Sequence, residues 1–105
     1  WTNGWISKVG EQITILKKEL SALRKKQFET ILARDPKSLA ASTMLAMLLH
    51  SQGRLEEAEK VYQQALSIDP RAAIAANNLA DIYATSDRNL DIALQLAQTA
   101  SSQMP

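Results

Sequence analysis

Three prolines divide this chain into stretches of nearly equal length, and this spacing limits the folds that it can adopt. They stand at Pro36, Pro70 and Pro105, which are 34 and then 35 residues apart. Aligning the stretches on their prolines places Phe28 beside Tyr62. A period of this length is typical of stacked two-helix units, each of which needs its neighbours to bury its apolar face. The spacing therefore favours a surface for recognition over a catalytic pocket.

Apolar residues recur at helical spacing through most of the sequence. This pattern predicts five helices, at about residues 5–33, 39–50, 55–67, 72–84 and 90–102. No window alternates in the way a half-buried strand does. The chain is therefore predicted to be all-α, with short connections that make consecutive helices antiparallel neighbours.

Individual residues mark where these helices begin and end. Proline disfavours helical backbone in the residue before it, so helices are expected to stop before Pro36 and Pro70. Ser38 is suited to cap the second helix, and Gly53 to supply the left-handed residue that closes it. Gly10 is a candidate break or kink in the first helix, because glycine weakens a helix interior by roughly 1 kcal/mol.

Residues 39–72 resemble a tetratricopeptide repeat, a unit of two helices and 34 residues. Small residues at fixed positions of its pattern let the two helix backbones approach closely, while larger ones fill the flanking space. The leading aromatic residue of the pattern is replaced here by Ser42. The other pattern positions are occupied by Leu45, Ala46, Leu49, Ala58, Tyr62, Ala65 and Pro70.

Residues 73–105 are similar to the same repeat with departures. Ala76 and Ala97 stand where aromatic residues would be, and one extra residue lies in the turn near residues 87–89. The resemblance implies a right-handed solenoid of antiparallel helix pairs. We expect three parts: a long N-terminal helix or degenerate repeat at 1–35, a repeat at 36–72, and a repeat with the one-residue insertion at 73–105.

The resemblance further implies a non-catalytic scaffold that binds a protein or peptide segment in a concave groove. In this family the first helix of each unit lines the groove. The alternative is that these positions are merely exposed residues of a spacer repeat. Carried over by position, the groove residues are Ala40, Thr43, Met47, His50, Ile74, Asn77, Asp81 and Ala84.

Some members of the family grip a C-terminal carboxylate with lysine, arginine and asparagine side chains. Here only Asn78 matches, and Met44 and Met47 occupy places that would need polar residues. We therefore do not expect a carboxylate clamp.

A second hypothesis is self-assembly, in which the protein is a structural module. The last predicted helix is apolar around much of its circumference, and terminal repeats normally need a polar outer face. We expect further repeats or a second copy of the chain to cover it. The candidate self-association residues are Leu16 in the first helix and Leu90 and Leu94 in the last.

Apolar residues also form a stripe along the first helix, beside a basic cluster. We expect this stripe to pack in a core or an interface, in preference to lying on a membrane surface. Nucleic-acid binding is not expected, because the cluster lacks interleaved aromatic residues or a recognisable groove reader. The stripe begins with Trp1, Trp5, Ile6, Val9 and Ile13 and continues through Leu16, Leu20 and Leu23. The basic cluster comprises Lys17, Lys18, Arg24, Lys25 and Lys26.

Charge and composition limit which other functions are expected. The net charge of +1 combines +4 in residues 1–37 with −3 in residues 38–105. The chain has no cysteine and one histidine, His50, so neither a zinc site nor a cysteine nucleophile is expected. We expect no cofactor and no enzymatic activity. The chain opens on Trp1, so we expect a fragment of a longer repeat protein, and the sequence leaves both the cytoplasm and the bacterial envelope open as its location.

Overall fold

The computed structural model describes residues 2–104, which form a series of five helices joined by short connections. No strand occurs among these residues. The predicted all-α, tetratricopeptide-like architecture is confirmed. Trp1 and Pro105, the third proline of the sequence period, lie outside the described residues. The helices are α1 (Thr2–Arg34), α2 (Leu39–Ser51), α3 (Leu55–Ile68), α4 (Ala73–Thr85) and α5 (Leu90–Gln103).

An aspartate before each internal proline organises the turn that joins one helix pair to the next. The carboxylate Oδ1 of Asp35 accepts a hydrogen bond from the backbone N–H of Lys37 at 3.2 Å. Asp69 does the same for the N–H of Arg71 at 3.0 Å. The predicted cap also forms, since Ser38 Oγ accepts from the N–H of Ala41 at 3.2 Å. The prolines stop the helices, and the aspartates give both turns the same shape.

The turns inside the helix pairs close through left-handed residues. Gly53 has φ of 75° after α2, as predicted, and Asp87 occupies the same position after α4 with φ of 52°. At both turns the left-handed residue donates its N–H to the carbonyl three residues back, and the next residue donates to the carbonyl five back. The extra residue of the second turn, Asn89, is also left-handed, with φ of 51°. It lies immediately before α5.

Substitutions at the left-handed positions of these two turns should change stability in opposite directions. Glycine adopts positive φ without steric strain, whereas other residues do so at a cost. We expect Asp87→Gly to raise the free energy of unfolding by up to about 1 kcal/mol, and Gly53→Ala to lower it by about 1 kcal/mol. Urea denaturation followed by circular dichroism measures both. A destabilised Asp87→Gly protein would show that the carboxylate supports the turn by another route.

The core runs along the interfaces between successive helices and is built largely from small side chains. Its buried members include almost every position that carries the family resemblance. Ser42, at the position of the missing aromatic residue, is only 1% exposed, and its hydroxyl donates to the carbonyl of Ser38 at 2.9 Å. The central cluster consists of Leu45, Ala46, Leu49, Ala58, Tyr62, Ala65, Ala75, Leu79, Ala80, Ile82, Tyr83 and Ala93.

Helix α1 differs from the sequence-based expectation in two respects. It runs without a break through Gly10, because a single glycine is a small penalty within a helix of 33 residues. Only its C-terminal part joins the core, where Phe28 and Leu32 pack against the central cluster. The apolar stripe from Trp5 to Leu23 is exposed by 40–64% on each side chain, so the expectation of core packing is wrong. Its packing in an interface remains a prediction.

None of the five helices, over the residues described, has the length and apolar character needed to cross a bilayer.

Candidate functional site

The predicted groove residues lie on the first helix of each pair, α2 and α4. The side chains of Met47 and Ile74 are 45% and 51% exposed, which is high for apolar residues. Asn77 and Asp81 are exposed as well. Thr43 is half-buried, and its hydroxyl donates to the backbone carbonyl of Leu39 at 2.8 Å. We call this surface the α2–α4 face, defined by Thr43, Met47, His50, Ile74, Asn77 and Asp81.

A histidine connects the two halves of the α2–α4 face. His50 Nε2 in α2 lies 3.9 Å from Asp81 Oδ2 in α4. The imidazole also meets the ring of Tyr62 edge-on, with centroids 6.0 Å apart and an angle of 84° between the planes. Two residues that are 31 positions apart in sequence are thereby held side by side at the surface.

A buried hydroxyl lies beneath this contact. Tyr62 Oη accepts a hydrogen bond from Asn78 Nδ2 at 3.1 Å and lies 3.4 Å from His50 Nδ1. Burial raises the pKa of the Tyr62 phenol above its ordinary value, while the Asn78 hydrogen bond lowers it and Asp81 raises it further. The phenol therefore stays protonated at neutral pH and links α2, α3 and α4.

This role of Asn78 was not predicted from the sequence. There Asn78 was noted only as the one residue that matches a carboxylate clamp. The available signal was the tyrosine itself, since a buried Tyr hydroxyl usually requires a hydrogen-bond partner. The amide faces inward to Tyr62 and supports the surface from below.

A cleft between α4 and α5 brings together residues that were predicted for two different roles. It has a volume of about 570 Å³. Asn77 and Asp81 of the α2–α4 face line it, and so do Leu90 and Leu94, the proposed self-association residues of α5. Leu90 and Leu94 are 53% and 60% exposed. The third self-association residue, Leu16, is not part of this cleft and lies on α1 with 61% exposure.

Two polar links join α3 to the pair that follows it. Arg88 Nη2 donates to Glu59 Oε2 at 2.8 Å, and this hydrogen bond is the main reason that the pKa of Arg88 is raised. The guanidinium also lies 5.7 Å from the centroid of the Tyr83 ring. Gln63 Nε2 donates to the Tyr83 hydroxyl at 2.9 Å. Both links span two helix pairs and so help to fix how one pair sits on the next.

Within residues 2–104, His, Asp and Glu side chains do not gather into a group of three or more that could hold a metal ion. The α2–α4 face presents half-exposed apolar side chains beside an amide, a carboxylate and an imidazole. Such a combination suits non-covalent contact with another polypeptide.

Comparison with known proteins identifies the repeat. Residues 47–86 match a family model described as TPR repeat, the tetratricopeptide repeat. The match covers the end of α2 and all of α3 and α4. No curated protein matches the chain. Repeats of this family generally act as scaffolds for protein–protein interaction. The matched segment lies within a succession of paired helices with small residues buried between them, which supports the assignment of residues 47–86 to the tetratricopeptide-repeat family.

Proposed function

We propose that the α2–α4 face binds an extended or helical segment of another protein. The observation that carries the proposal is the joint exposure of Met47 and Ile74 on adjacent first helices. Methionine adapts its shape to different apolar partners. Burying two such side chains against a partner removes apolar surface from water, which is the main driving force of association.

The polar residues of the face indicate what kind of segment it binds. The side chain of Asp81 is 60% exposed, and Asn77 beside it is exposed as well. A segment with apolar anchors for Met47 and Ile74 and a lysine or arginine near Asp81 would satisfy both kinds of contact. The charged contact then contributes mainly to orientation and to the rate of association.

A charge placed in the centre of the face should abolish this binding. Peptides selected by the chain from a displayed random library serve as the ligand, and Kd is measured by fluorescence anisotropy. We expect Met47→Glu to weaken binding by about tenfold or more, because a central interface contact is lost and a carboxylate is desolvated. Replacing Asn77 and Asp81 together by alanine should weaken the binding of peptides that carry a basic residue more than the binding of peptides that do not.

The matched control is Ile31→Glu. Ile31 is 46% exposed, as Met47 is 45% exposed, but it lies on α1 and outside the α2–α4 face. The proposed site would be overturned by peptides that bind the Met47→Glu variant with the same affinity as the unmodified chain but lose affinity for the Ile31→Glu variant.

Self-association is a second candidate function, favoured by the apolar residues left exposed at both ends of the helix series. Leu16 on α1 and Leu90 and Leu94 on α5 are each more than half exposed. On this view the chain has the three-part organisation proposed from sequence, with an N-terminal helix over 1–35 and repeats over 36–72 and 73–105. The terminal parts carry assembly, and the α2–α4 face binds the partner.

A further inference from the structure

The N-terminal two-thirds of α1 carries an uninterrupted apolar seam. Six residues recur with the alternating spacing of 3 and 4 that defines a heptad pattern. Each side chain in the seam is 40–61% exposed. The seam spans three successive heptads, which is the signature of a helix that pairs with another helix. Its members are Ile6, Val9, Ile13, Leu16, Leu20 and Leu23.

The seam lies on a different side of α1 from the one that packs on the rest of the molecule. The side of α1 that meets α2 and the core is marked by Phe28 and Leu32, with Ser21 and Lys25 half-buried on the same side. At 3.6 residues per turn, this side lies about 120° around the helix from the centre of the seam. The packing of α1 on its own chain therefore leaves the whole seam free for a second helix.

The charges that border the seam are complementary between two copies. In the heptad frame with Ile6 at position a, Glu19 falls at position g and Arg24 at position e. Those positions face each other across a parallel two-stranded coiled coil, so each chain would offer Glu19 to Arg24 of the other. Neither residue has an opposite charge three or four positions away on its own helix, where an intrahelical pair would form.

The residue types in the seam also favour two parallel strands. Isoleucine occupies two of the three a positions, at Ile6 and Ile13, and leucine occupies two of the three d positions, at Leu16 and Leu23. Branched residues at a with leucine at d are the combination typical of parallel dimers.

We propose that residues 6–23 of α1 pair with the same residues of a second copy of this chain as a parallel coiled coil. The inference rests on the self-association put forward above as the second candidate function, and it assigns that association to α1 and not to α5. It is independent of peptide binding by the α2–α4 face.

The mass of the full chain in solution, measured by sedimentation equilibrium, tests the assignment. We expect the unmodified chain to dimerise and Leu16→Glu to weaken the dimer by about tenfold or more, because it places a charge in the seam. Ile15→Glu is the matched control: Ile15 is 47% exposed on the same helix but outside the seam, so this variant should remain dimeric. Leu94→Glu on α5 should also remain dimeric.

The other outcomes separate the two levels of the proposal. A dimer that is lost in Leu94→Glu and retained in Leu16→Glu would overturn the assignment to α1 and keep self-association. An unmodified chain that stays monomeric across the whole accessible concentration range would overturn both. A monomer that binds vesicles of anionic lipid through α1 would show that the seam meets a membrane surface instead.

Orientation is tested by cross-linking, which does not depend on a destabilising variant. The chain has no cysteine, so Val9→Cys introduces a single thiol. In a parallel pair the two substituted positions face each other, and mild oxidation should convert most of the protein into a covalent dimer. In an antiparallel pair position 9 faces position 20, and a dimer that fails to cross-link would overturn the parallel arrangement.

Reversing one charge and then both provides a further check. Glu19→Arg should weaken the dimer severalfold, since two like charges then face each other on each side. Adding Arg24→Glu to the same chain should restore it. Failure of the double variant to recover would show that these residues do not meet across the interface.

Discussion

Replacing Tyr62 with alanine should lower the free energy of unfolding by about 3–5 kcal/mol, the range for truncating a large buried aromatic residue. Tyr62 is 0% exposed and is among the largest fully buried side chains. The truncation leaves a cavity and removes the hydroxyl that Asn78 and His50 approach. The free energy of unfolding of small domains is only about 5–15 kcal/mol, so this variant should be partly unfolded at room temperature. Urea denaturation followed by circular dichroism measures the loss.

The control for this variant is Tyr62→Phe, which keeps the ring and removes only the hydroxyl. We expect it to cost about 1–2 kcal/mol, because the Asn78 amide loses a partner in a partly buried setting. A Tyr62→Phe protein as unstable as Tyr62→Ala would mean that the hydrogen bonds, and not the filled volume, dominate at this position. A Tyr62→Ala protein with an unchanged midpoint would contradict the placement of this ring in the core.

Enlarging Ala58 should be the second most damaging change. Ala58 on α3 and Ala46 on α2 are both 0% exposed, in two helices that pack directly on each other. A leucine at position 58 has no free volume to enter, so the helices must separate or side chains must leave their preferred rotamers. We expect Ala58→Leu to lower the free energy of unfolding by about 3 kcal/mol, near the upper end for overpacked cores. The same denaturation experiment measures it.

Ala33→Leu provides the comparison, because Ala33 is exposed near the end of α1. The two substitutions add the same atoms to a helix and differ only in surroundings. Stability of Ala33→Leu should stay within about 0.5 kcal/mol of the unmodified chain. If both variants behaved alike, the close approach of α2 and α3 would not be limiting.

The positions of the helices could be predicted from sequence because their ends are set by local chemistry. Pro36 and Pro70 stop helices through their own geometry, and Gly53 closes one through its positive φ. The small residues at fixed spacing then predicted which faces pack. The break at Gly10 did not occur, because propensity is a weak local term that a long helix overrides.

The polar contacts that join different helices could not be predicted in the same way. Tyr62 and Asn78 are 16 residues apart and lie on different helices, and Arg88 reaches Glu59 across 29 residues. Such pairs depend on how far each helix is rotated about its axis once it is packed. The exposure of the α1 stripe could not be predicted either, because the apolar pattern of a helix is the same whether it packs against its own chain or against another molecule.

The continuity of α1 through Gly10 bears on how strongly this protein could hold an extended target. A helix of 33 residues is about 50 Å long, so its N-terminal part reaches well beyond the helix on which it packs. Two such helices paired side by side in the same direction would hold two α2–α4 faces at a fixed separation on one assembly. A target with two copies of the recognised segment could then engage both faces at once. Its second contact would be intramolecular, and avidity could exceed the single-site affinity by about 10²–10⁴ without any new contact.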